Sequence, residues 1–115
     1  MFGIAFSIMP LASRKDIENF VDEASEELEG RLSEVLLFGS YAREDFVPGS
    51  DVDIMFIVDS KEESDWQKVS KIAGEYFLDK DIRFSPKIVE KDIFEDRKNE
   101  SAGFYSEVAE EGVKL

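Results

Sequence analysis

The stretch Val35-Leu36-Leu37-Phe38-Gly39-Ser40-Tyr41-Ala42-Arg43, continued after a polar connection by Gly49-Ser50-Asp51-Val52-Asp53-Ile54-Met55-Phe56-Ile57-Val58, decides how the rest of the chain is read. Residues 35–38 form a short, dense apolar run stopped by a glycine, which is the length of a buried strand and too short for a helix. Residues 52–58 are a second such run, interrupted by Asp53 alone. Pro48 and Gly49 between them mark a turn-rich connection.

Upstream, residues 13–30 place Ile17, Phe20, Val21, Ala24 and Leu28 at helical spacing among acidic residues. Ser13 is placed to cap that helix with Asp16 three positions on, and Gly30 to stop it. Downstream, residues 61–80 carry Trp66, Val69, Ile72, Ala73, Tyr76 and Phe77 on one helical face. Residues 82–89 read as a third strand, and Pro86 inside it points to an edge or a bulge. Residues 91–98 and 104–111 are short helices, and residues 113–115 close as a strand. This order predicts the α/β (α+β) class: one domain over residues 1–115, with a small mixed sheet flanked by helices. Residues 1–12 stand apart as an apolar arm in which Phe2, Ile4, Phe6 and Ile8 alternate. The arm lacks a basic leader and is far shorter than a membrane span, so a cytoplasmic protein with no membrane contact is expected.

Composition narrows the chemistry. The 115 residues hold no cysteine and no histidine, which removes disulfides, thiolate or imidazole metal sites and Ser-His-Asp catalysis. What remains is carboxylates, hydroxyls, amines and backbone groups. With 27 acidic against 14 basic residues the net charge is −13, so direct nucleic-acid binding is not expected. A phosphate-bearing ligand could be held through a divalent cation.

Two features carry that possibility. Gly39-Ser40 turns the chain sharply after a buried strand, where backbone N–H groups and the Ser40 hydroxyl can hold phosphate. On its own a Gly-Ser at such a place is an ordinary turn. Asp51 and Asp53 alternate with Val52, so both carboxylates leave one strand face and repel unless a cation lies between them. Hard oxygen donors of this kind suit Mg²⁺. Asp51 can also serve as a strand-end cap, and Asp53 as a solvated residue on an open face.

Taken together, Gly39-Ser40, ten intervening residues and Asp51-x-Asp53 between two buried strands resemble the DNA polymerase beta-like nucleotidyltransferase superfamily, in particular its minimal, MNT-type members. The resemblance covers most of the chain, through the closing Glu111-Gly112-Val113. It implies a nucleotidyltransferase fold in which Asp51 and Asp53 are catalytic and ligate two Mg²⁺ ions. Gly39 and Ser40 would hold the phosphates of a nucleoside triphosphate, with ATP as substrate and AMP as the group transferred to a hydroxyl. Arg43 is placed either to add charge beside the triphosphate or to brace the turn. Two departures stand out. Glu44 follows Arg43 where many members have glycine. The third carboxylate of the family, expected on the next strand, falls in the best register on Ser85, with Asp81 the alternative and Glu90 on the opposite parity.

At this size the resemblance points to the antitoxin of HEPN/MNT toxin–antitoxin modules, with a HEPN-type protein as partner and acceptor; self-association is left open. The competing reading is a nucleotidyltransferase-fold binding module that has lost catalysis and neutralises its partner by contact. Small-molecule nucleotidyltransferases usually carry an extra helical domain, and a glycosyltransferase Asp-x-Asp does not account for Gly39-Ser40.

Overall fold

The computed structural model describes residues 12–100 and 103–115. The apolar arm therefore lies, except for Ala12, outside the described residues. Helix α1 spans Arg14–Glu27 and starts as the sequence predicts. The Ser13 hydroxyl accepts from the Asp16 amide at 3.1 Å, and the Asp16 carboxylate accepts from the Ser13 amide at 3.2 Å. This reciprocal pair satisfies two donors that the first turn leaves open. The helix stops before Gly30, because Glu29 already takes a left-handed backbone (φ 53°) ahead of Gly30 (φ 77°).

The chain continues through β1 (Leu32–Phe38), α2 (Ser40–Arg43), β2 (Val52–Val58), α3 (Asp65–Lys80), β3 (Phe84–Glu90), α4 (Lys91–Arg97), α5 (Phe104–Glu111) and β4 (Val113–Lys114). The four strands form one sheet in the order β3-β2-β1-β4. β1 is antiparallel to β2 and to β4, while β2 and β3 are parallel. A parallel pair needs a crossover, and α3 supplies it. Pro86 does fall on an edge strand, and the β2–β3 register runs through it without a shift.

Both faces of the sheet are covered, which is why β1 and β2 read as apolar runs rather than as alternating strands. On one face Val35, Val52, Ile54, Phe56, Val58, Phe84 and Ile88 pack with α1 and α3 around the fully buried Phe20. The Phe20 ring stacks on Phe84 at 4.2 Å and meets Phe56 and Tyr76 edge-on. On the other face Leu36, Phe38, Met55, Ile57 and Val89 meet Phe94 of α4 and Val108 of α5. Asp53 alternates with Met55 and Ile57 and so belongs to this second face.

α3 begins four residues later than its apolar pattern implies. Asp65 is fully buried and accepts two bonds from the Arg31 guanidinium, at 2.7 and 2.8 Å, and one from the Glu62 amide at 2.8 Å. Those bonds hold the chain before Asp65 in a turn. The third strand likewise starts at Phe84 rather than at 82, because Asp81 ends α3 with a left-handed backbone (φ 58°). Among the described residues no helix is long and apolar enough to cross a membrane.

Candidate active site

The corner between β1 and α2 is built around one missing side chain. Gly39 has φ 74° and ψ −152°, a conformation that only glycine adopts without strain, and it is the N-cap residue of α2. A Cβ at this position would overlap Asp53 Oδ2 and stand 3.1 Å from Asp53 Cγ. Gly39 is therefore required twice, by its backbone angle and by the carboxylate lying against it. The sequence reading supplied the turn and the approach of phosphate, but not the approach of Asp53. Phe38 and Asp53 are direct partners in the antiparallel ladder, which fixes that juxtaposition. Ser40 opens α2 and is half-buried. Tyr41 anchors the turn from below: its ring stacks on Phe46 at 4.2 Å and its hydroxyl accepts from the Ala12 amide at 3.1 Å.

Asp51 lies just before β2 and is exposed, whereas Asp53 is half-buried on the sheet. Burial pushes the Asp53 carboxyl above the ordinary aspartate range, and the neighbouring charge of Asp51 pushes the same way. Lys87 and Arg43 oppose the shift without cancelling it. Arg43 is engaged elsewhere: Nε reaches Asp45 at 3.1 Å and a terminal nitrogen reaches Glu111 at 3.2 Å. The bracing role for Arg43 is thus the one visible, and it ties α2 to the end of α5.

On the third strand, Ser85 is the parallel partner of Asp53, the register expected from the sequence. Asp81 caps α3 and lies off the strand. Glu90 stands at the far end of β3, where it accepts from the Lys61 amide at 3.0 Å. Among the described residues no three acidic groups converge in a way that could hold a metal ion. The reading missed Lys87, which shares the strand parity of Ser85. That parity was available in the sequence, since positions 85 and 87 leave the same face.

The model of the nucleotidyltransferase domain family matches residues 17–115. The chain belongs to that family. This nucleotidyltransferase is 38% identical over 100 residues to MJ0141 of Methanocaldococcus jannaschii, covering 86% of this chain and 94% of the relative. It is 31% identical over 101 residues to MJ0604 of the same organism, covering 88% and 95%. Both relatives carry the name "Putative protein adenylyltransferase". Among solved structures, a toxin–antitoxin complex with AMP-PNP superposes with a TM-score of 0.55 at 19% identity, over 84% of this chain and 70% of that one. At that identity the likeness shows a shared fold. The fold class expected from the sequence, a small mixed sheet with helices, is the one observed.

Proposed function

We propose that residues 1–115 act as a single minimal, cytoplasmic nucleotidyltransferase domain that moves AMP from ATP to a hydroxyl of a HEPN-type partner protein. The observation that carries this reading is the contact between Gly39 and Asp53. It brings the Gly39-Ser40 corner and the acidic strand to one point on the sheet. The charge of Asp51 acts on Asp53, and that charge together with burial pushes Asp53 toward protonation despite Lys87 and Arg43. Such a donor set fits a hard divalent cation. Asp51 and Asp53 would hold Mg²⁺, which when bound offsets the triphosphate charge and makes the α-phosphorus easier to attack.

The protein's own contribution is positioning. The first-turn N–H groups of α2 have no intrahelical acceptors and are free for the terminal phosphates, with the Ser40 hydroxyl beside them. Gly39 keeps the backbone bare, so phosphate and Asp53 can both come close. The relatives named as protein adenylyltransferases and the toxin–antitoxin fold neighbour support a protein as acceptor.

Incubation with α-labelled ATP, Mg²⁺ and a HEPN partner tests the reading. Label should appear on a hydroxyl side chain of the partner and vanish with Asp53→Asn. One observation favours the second reading, a contact-only antitoxin: Ser85, not a carboxylate, faces Asp53. Partner neutralisation that survives Asp53→Asn and needs no ATP would select it.

A further inference from the structure

The two-ion arrangement implied by the family needs more acid than this site offers. Asp51 and Asp53 are present, Ser85 faces Asp53, and no third acidic group joins them among the described residues. The next position on the same face of β3 is Lys87, the partner of Met55, two residues along from the Asp53–Ser85 pair. Adjacent strands lie about 4.8 Å apart and rise about 3.3 Å per residue, so a lysine stem can carry its ammonium back to the neighbourhood of Asp53.

Lys87 is exposed and takes part in none of the ion pairs formed among the described residues, in a chain of net charge −13. Lys87 and Arg43 are the two positive charges that act on Asp53, and Arg43 is already paired with Asp45 and Glu111.

We propose that Lys87 supplies a fixed positive charge in place of the second divalent ion, so that the site works with one. This rests on the assignment of Asp51 and Asp53 as the metal-holding pair. A tethered ammonium offsets part of the Asp51–Asp53 repulsion and presents charge to the nucleotide without needing a third ligand. It also repels a second divalent cation.

Equilibrium dialysis of Mn²⁺ reads the count directly, with a non-hydrolysable ATP analogue at equal concentration on both sides of the membrane. The native chain should hold one Mn²⁺, Lys87→Arg should also hold one, and Lys87→Asp should hold two. Two ions on the native chain, or one on a folded Lys87→Asp, overturn the role of Lys87 and leave the Asp51–Asp53 site standing. No ion on the native chain overturns the site itself and this inference with it. Circular dichroism establishes that each variant is folded; because Lys87 is exposed, its replacement disturbs no core contact.

Discussion

Asp65 and Asp53 both lose water on folding, and their environments push them in opposite directions. Asp65 is fully buried, yet Arg31 grips both its oxygens and the Glu62 amide adds a third bond, so its carboxyl is held below the ordinary range. Asp53 is only half-buried, accepts no hydrogen bond among the described residues, and faces a second carboxylate; its carboxyl rises. Burial alone separates nothing here. What separates them is whether the fold itself completes the charge. Asp65 is finished within the fold and ties the residue before β1 to the start of α3. Asp53 is left incomplete at a corner, against the bare backbone of Gly39.

Asp65→Ala attacks the finished site. It leaves the Arg31 guanidinium without its carboxylate, and the melting temperature should fall by more than about 10 °C, read by thermal unfolding. Asp53→Asn attacks the unfinished one. Nucleotidyl transfer should drop by at least about 10²-fold, and the thermal shift produced by Mg²⁺ with ATP should disappear. Without ligands the same variant should melt slightly higher than the native protein at pH 7, since a neutral side chain replaces a charge the fold disfavours.

Titration sharpens the contrast further. The Asp65 contribution to stability is complete above the unfolded aspartate value of about 3.9, and it is lost as pH falls through its depressed folded value. Asp53 has the opposite sign: its ionised form destabilises the fold above its raised value, and protonation relieves this as pH falls. The advantage of Asp53→Asn over the native protein should therefore shrink as unfolding is measured at successively lower pH, while Asp65→Asn should lose its disadvantage only in strong acid.

Gly39→Ala joins both arguments at one position. The positive-φ, extended-ψ backbone of Gly39 costs a residue with a side chain about 1–3 kcal/mol in denaturant unfolding, and the added methyl displaces Asp53, so nucleotide affinity should fall as well. A variant that loses stability but keeps affinity would separate the turn from the site. Ser85→Asp should have the smallest effect, a loss of about 0.2–1 kcal/mol from a further like charge, recovered when Mg²⁺ is added.

The strands, their order along the chain and the acidic pair were legible because burial on both faces leaves continuous apolar runs, against which a single Asp53 stands out. The edge position of β3 was legible from Pro86, and the Ser85 register from side-chain alternation. The Arg31–Asp65 grip was not, since residues 34 positions apart share no periodicity and meet only after the sheet forms. The start of α3 was misplaced for the same reason. Nor could the sequence show why Gly39 is bare: the obstacle is Asp53, brought alongside by strand pairing rather than by spacing.

The margins of the sheet carry one more consequence. A fifth strand laid along β3 would meet Pro86, which has no hydrogen to donate, and one laid along β4 would find a strand only two residues long. Continuous sheet extension, the route by which exposed edges recruit further chains or seed fibrils, is blunted at both ends. An assembly formed at either margin would have to be joined by helices and side chains instead. Its specificity resides in surface chemistry that can be rewritten one residue at a time.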